Sequence, residues 1–294
     1  MLALLVLHYI LVLAKIIRLV LGGDVNCNYN IDKMKKLLFV LAVAGAAMLV
    51  ACNGNKKTNE EATDTEVADV QSNYEMDAFT TKSGKKVNIY ALMHASVRVV
   101  VDGKEIEIDP VLKLRDRTVD YSTMPKADYI FVTHEHGDHY DAEAIKLLSK
   151  DETQLIMNKR CADMFGAGQV MVNGDKLQIA DDFTVEAVPA YNYSEANLTK
   201  HPKGRDNGYI LTIDGLRIYF AGDTEDVPEM EGIKDIDVAY FPCNGPTMTV
   251  DQLVRAAKLI KPKVLFPYHF SQTDVSVIPA QLKEDGIDVR LRRF

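Results

Sequence analysis

Polar and apolar positions divide this 294-residue chain into three unlike stretches. Residues 1–22, MLALLVLHYILVLAKIIRLVLG, carry only Lys15 and Arg18 as charges, and a second apolar run covers 37–51. Residues 53–74, NGNKKTNEEATDTEVADVQSNY, are polar, acidic and short of large apolar groups, so they predict a disordered tether, not a core. From about residue 77 the texture becomes that of a packed domain.

There, KKVNIYALMHASVRVVVDGKEIEIDP (85–110) alternates, with turn chemistry at Ser83-Gly84 and Asp102-Gly103; this predicts three short strands in hairpins. ADYIFVTHEHGDH (127–139) predicts an apolar strand running into a turn at Gly137. DAEAIKLLSK (141–150) predicts a helix capped by Asp141, TQLIMN (153–158) a strand, and KRCADMFG a short helix ending at Gly166. Two strands follow in 176–191, and a hairpin over Asp214-Gly215 in 208–224. VAYFPC (238–243) and KVLFPYHF (263–270) predict strands around an amphipathic helix at 249–261 with Thr249 as its cap. IPAQLKEDG (278–286) predicts a helix ending at Gly286, and IDVRLRRF (287–294) a last strand. Antiparallel runs come first and strands alternating with helices later. That order predicts an α+β domain of sheets packed on each other with helices outside.

The leader changes the picture of where the domain works. MKKLLFVLAVAGAAMLVAC (34–52) has a basic start at Lys35 and Lys36, an apolar stretch and small residues before Cys52. Those are the parts of a secretory signal. The run at 37–51 is short for a bilayer, which wants roughly 20 apolar residues. LVAC (49–52) resembles the lipobox of bacterial lipoproteins. The resemblance implies cleavage before Cys52, a lipid on its sulfur and a membrane-anchored place in the cell envelope. The expected organisation is an upstream extension at 1–33, a signal at 34–51, a tether at 52–74 and a folded domain at 75–294. Cys161 and Cys243 are expected as buried thiols. The net charge of −8 argues against a broad basic surface for nucleic acid. The expected substrate is a small molecule.

The candidate chemistry is concentrated in THEHGDH (133–139), which holds three of the chain's seven histidines. His134 and His136 sit two apart in extended chain and so point to one side. Gly137 permits a tight turn that brings Asp138 and His139 round to the same place. Imidazole nitrogen and carboxylate oxygen suit zinc, and also manganese or iron. Two groups of ligands on one turn suit two metals.

The pattern resembles the metallo-β-lactamase superfamily, whose signature is H-x-H-x-D-H after a strand. AGDT (221–224) and PYHF (267–270) resemble later segments of that family, and HASVRVVVDGKEIEIDP (94–110) resembles the opening strands of its lactonase-like branch. The likeness covers roughly 77–294 and implies a four-layer αβ/βα sandwich. It implies that Asp223 bridges two metals and that His269 is a further ligand. It also places His94 and Asp109 near the site, His94 behind a ligand or against the leaving group and Asp109 orienting a ligand histidine.

One departure stands out. The family's third histidine on the first metal falls here at VPAYN, where Asn192 stands, and an amide is a weaker ligand than imidazole. His201, nine residues on in KHPKGRDNGY, is expected to swing back and fill the place. The first metal would then be held by His134, His136 and His201, and the second by Asp138, His139 and His269. The implied reaction is hydrolysis of an ester, lactone, amide or phosphodiester by a metal-bridged hydroxide, with Asp138 also accepting a proton. The rival expectation is a non-catalytic envelope lipoprotein that binds metal or a ligand.

Overall fold

A computed structural model of the chain describes residues 73–294. The expected leader, Cys52 and nearly all of the tether lie outside those residues.

Glu75–Thr80 (β1), Lys86–Met93 (β2), Ser96–Val101 (β3) and Lys104–Ile108 (β4) form an antiparallel run. A small ribbon follows, Lys113–Leu114 (β5) with Arg117–Thr118 (β6). Tyr129–Val132 (β7), Gln154–Met157 (β8) and Gln169–Val170 (β9) then extend the first sheet in parallel, giving the order β1-β2-β3-β4-β7-β8-β9. Ala142–Leu148 (α1) and Lys159–Phe165 (α2) connect them. The second sheet begins with Lys176–Ala180 (β10), Phe183–Ala190 (β11), Asp206–Ile213 (β12) and Leu216–Phe220 (β13), all antiparallel. It continues in parallel through Val238–Pro242 (β14), Val264–Tyr268 (β15) and Asp288–Val289 (β16). Val250–Ile260 (α3) and Ile278–Leu282 (α4) are its crossover helices.

Side-chain alternation assigns the layers. Val97, Val99, Ile106, Ile108 and Phe131 of the first sheet meet Val185, Leu211, Ile218, Phe220 and Phe266 of the second in a shared core. The opposite faces bury Ile130, Val132 and Met157 under Ala144, Ile145 and Leu148, and Tyr219, Ala239 and Phe241 under Leu253, Ala257 and Ile278. Helices therefore lie outside two facing sheets, the expected four layers. Phe220, Tyr240 and Phe266 stack across β13, β14 and β15 at 4.9 and 4.8 Å, a ladder worth about 0.5–1.5 kcal/mol per pair beyond burial.

Local signals behave as their chemistry requires. Asp141 accepts from the backbone N–H of Glu143 and Ala144 to start α1. Thr249 and Gln252 form a reciprocal capping box at α3. Cys161 and Cys243 are buried and unbonded. The last strand is shorter than expected, because Arg290 and Arg292 turn away to pair with Asp77 of β1. The β5–β6 ribbon, β1 and β9 carry too few alternating positions to be read from sequence.

Candidate metal centre

The parallel strands point their C-terminal ends to one edge of the sandwich. β7 delivers the 133–139 loop, β13 delivers Asp223 through Ala221 and Gly222, and β15 delivers His269. β4 runs into Asp109, and His94 sits in the β2–β3 turn. Gly222 has φ 66, and a Cβ there would lie 3.0 Å from the Asn207 carbonyl oxygen and 3.3 Å from Thr133 Cβ. Its N–H donates to Tyr268 Oη at 3.0 Å, which fixes the turn carrying Asp223. His94, Asp109 and His269 have φ of 58, 44 and 50, a left-handed conformation that costs non-glycine residues of order 1 kcal/mol or more each. Such strain persists where neighbours hold it: the His269 N–H donates to the His94 carbonyl at 3.1 Å.

Two groups of ligand-type atoms result. His134, His136, His201 and Asp223 form one, and His94, Asp138, His139 and His269 the other, each with its atoms within 4.8 Å of one another. Asp223 faces both. Its Oδ1 is 3.2 Å from His139 Nε2; its Oδ2 is 3.5 Å from His201 Nε2, 3.8 Å from His134 Nε2 and 3.4 Å from His269 Nε2. Asp138 Oδ2 lies 3.2 Å from His94 Nε2 and 3.3 Å from His269 Nε2. Despite these approaches, His139 Nε2, Asp223 Oδ1 and both ring nitrogens of His269 are buried without a hydrogen-bond partner. Buried polar atoms are almost always satisfied, so convergent unsatisfied donors of nitrogen and oxygen lone pairs fit a cation.

The far sides of the rings are anchored. Asp109 is fully buried; its Oδ2 accepts from His139 Nδ1 at 2.8 Å and from Thr133 Oγ1 at 2.7 Å, and its Oδ1 from the Thr133 N–H at 2.7 Å. The Thr133 hydroxyl proton is thus committed, so its lone pair accepts from His134 Nδ1 at 3.0 Å. This network places a proton on Nδ1 of both rings and turns both Nε2 atoms into the site, that of His139 toward Asp223 and that of His134 between His136 and Asp223. Asp206 does the same for His201, 3.0 Å from its Nδ1. Arg205 bonds Asp206 through Nε and a terminal nitrogen, and also reaches Glu135.

Electrostatics follow burial and neighbours. Burial pulls His134 well below the usual imidazole range and lowers His136 as well. Burial also draws His94 down to about 4, against the pull of Asp138. Burial opposes charge on His139 too, but Asp223 and Asp109 on either side raise it well above its ordinary value. Asp138 and Asp223 are held far below the carboxylate range, burial being outweighed by the surrounding imidazoles.

Of the residues proposed from sequence for the metal site and its surroundings, all but Asn192 and Asp109 lie in one of the two groups. Asp109 stands behind His139. Asn192 stays outside: its amide donates to the Pro246 carbonyl, and its N–H to the His201 carbonyl at 2.8 Å. The loop bearing His201 is strapped by buried Glu225, which accepts from the N–H groups of Tyr193 and Ser194. Asp206, Thr133 and Glu225 escaped the sequence reading as site residues. For Asp206 the available signal was a carboxylate at the start of a strand that carries no other charge.

Residues 88–269 match a family model described as a beta-lactamase superfamily domain. A metal-dependent hydrolase of Pyrococcus abyssi is 32% identical over 209 residues, 67% of this chain and 91% of that protein. A crystal structure from Parabacteroides distasonis, assigned as a metal-dependent hydrolase, is 47% identical with TM-score 0.72, covering 75% of this chain and 99% of that one. A metallo hydrolase of Ignicoccus hospitalis is 26% identical with TM-score 0.60, over 70% of this chain and 95% of its own. With the sheet order, the edge-of-sandwich site and the family match in agreement, this chain belongs to the metallo-β-lactamase superfamily.

Proposed function

We propose that the protein is a hydrolase working with two divalent cations, most simply zinc, with manganese or iron compatible with the same donors. The observation that carries this reading is Asp223, whose carboxylate stands between the two groups, Oδ1 beside His139 and Oδ2 beside both His269 of that group and His201 of the other. His134, His136 and His201 would hold one cation, Asp138, His139 and His269 the other, and Asp223 both. Bound there, the pair would acidify water toward neutrality and offset negative charge developing on an attacked carbonyl or phosphoryl oxygen.

The chain's own groups supply the rest. Asp109, Thr133 and Asp206 hold three rings in the tautomer that presents Nε2. Asp138, with a side chain 32% exposed against 5% for Asp223, is the carboxylate open to water and is our choice of proton acceptor. His94 restrains its Oδ2 from the other side. The names of the related proteins support hydrolysis; the bond is an ester, lactone, amide or phosphodiester. The non-catalytic alternative drew on the histidine missing at Asn192, and the burial of His201 beside His134 and His136 weakens that ground.

Metal analysis paired with a panel of those four bonds tests the reading. Turnover should vanish with chelator and return with zinc. Two bound cations without turnover of any bond would leave the binding role instead. We further propose a lipid on Cys52 that anchors the domain to a membrane; Cys52→Ala should move the protein to the soluble fraction, and unchanged membrane association would refute the anchor.

A further inference from the structure

A cavity of about 120 Å³ opens beside the second ligand group. His94 forms part of its wall, Leu114, Phe270 and Phe294 supply apolar sides, and Arg115 and Arg117 line it with positive charge. The cavity adjoins the centre through His94, whose ring lies 3.8 Å from that of His269. Two larger cavities elsewhere on the domain include no member of either ligand group.

The arginines are unlike the others. Ten arginines fall in the described residues, and eight of them face a carboxylate within 3.6 Å. Arg115 has no partner of any kind among the described residues, and Arg117 donates only to the carbonyls of Leu92 and Arg293, both at 3.3 Å. Asp116, between them on the β5–β6 turn, also lines the cavity and pairs with neither. The turn fixes Arg115 at φ 56, held by the Lys113↔Thr118 and Leu114↔Arg117 pairs. In a chain of net charge −8, two guanidinium groups without a paired carboxylate, at a cavity that adjoins the centre through His94, call for an anion.

We infer that this cavity is the substrate pocket and selects small molecules whose anionic group, carboxylate or phosphate, docks on Arg115 and Arg117 with a short apolar arm leading to the scissile bond. The inference rests on the hydrolase reading above. A guanidinium fork matches either anion in bidentate fashion. Apolar walls exclude water around the arm, and a turn already held in its bound shape keeps the ordering cost low.

The test compares a neutral p-nitrophenyl ester with its counterpart of equal length ending in a carboxylate, on the metal-loaded full chain. Asn and Asp both tolerate the left-handed backbone at position 115, so R115N/R117Q and R115D should keep the turn, which a thermal melt checks. The wild type should favour the anionic ester at least roughly tenfold in kcat/KM, and R115N/R117Q should shrink that ratio roughly 10–100-fold, mainly through KM. R115D should invert it, and Lys234→Gln, at a residue that lines a different cavity, should leave it at the wild-type value. Equal turnover of the two esters by the wild type, or a ratio untouched by R115D, overturns the inference. Calorimetry with glutarate and with methyl phosphate reads the pocket without catalysis and tells the two anions apart. Binding of either that R115D abolishes supports the pocket even if no bond is hydrolysed. Absence of binding to the wild type, or equal binding to R115D, refutes it.

Discussion

Asp109→Asn probes how the centre is aimed without touching an atom that faces it. Asparagine accepts the φ of 44 at this position, so the backbone should hold. Its Oδ1 can keep the Thr133 N–H. At the other branch an NH2 replaces the oxygen that accepts from Thr133 Oγ1 at 2.7 Å and His139 Nδ1 at 2.8 Å. Two bonds to a charged acceptor amount to about 3–6 kcal/mol. Removing a carboxylate whose burial already raises its pKa returns part of that, so we expect a net stability loss of about 2–4 kcal/mol without metal. His139 can relieve the donor clash by moving its proton to Nε2, the atom 3.2 Å from Asp223 Oδ1. That blocks the lone pair a cation needs. Loss of such an orienting partner lowers metal affinity roughly 10–100-fold, or about 1.4–2.8 kcal/mol. Zinc titration against a competing chelator measures the affinity, and nitrogen NMR of the His139 ring reports the tautomer. Affinities within threefold of wild type, with the proton still on Nδ1, would refute the reasoning.

His201→Ala should lower bound metal toward one ion per chain, whereas Asn192→Ala should leave it at two; elemental analysis decides, and the reverse pattern would restore Asn192 as the ligand. Gly208→Ala inserts a Cβ 2.8 Å from the Ala221 carbonyl oxygen and 3.0 Å from that of Phe220. It should lower stability by about 1–3 kcal/mol in urea melts, and an unchanged midpoint would show that β13 yields freely. Asp214 accepts from Thr81 Oγ1 at 2.6 Å and from the Ser83 N–H and hydroxyl, contacts that lower its pKa from an ordinary 3.8 to about 2. A carboxyl depressed by folding binds fewer protons in the native state, so its stabilisation is complete above about 4 and drains as pH falls toward 2. Asp214→Asn should flatten the stability curve across that window, and an equally steep acid loss in the variant would rule the clamp out.

Most elements and their order are legible in the chain before it folds. Alternation, caps such as Asp141 and Thr249, and turns such as Asp214-Gly215 act over a few residues, and short-range chemistry is written in short stretches of chain. The local pattern also marked THEHGDH, because three histidines and two carboxylates within six positions need no tertiary contact to be noticed. The resemblance to a known superfamily extended that set to Asp223 and His269. What the local pattern could not determine was partnership across sheets. Asp109 meets His139 thirty residues away, and Asp223 meets His201 and His269 only because parallel strands end at one edge. His94 stood alone in the local pattern and only the resemblance placed it near the site; the β2–β3 turn brings it to Asp138. Asp206 gave little sign at all, since a single carboxylate opening a strand acquires meaning only once His201 folds over it. The two unpaired arginines of the β5–β6 turn are likewise ordinary residues in the sequence. Only the fold, by giving eight other arginines their carboxylates and these two a cavity beside the centre, set them apart.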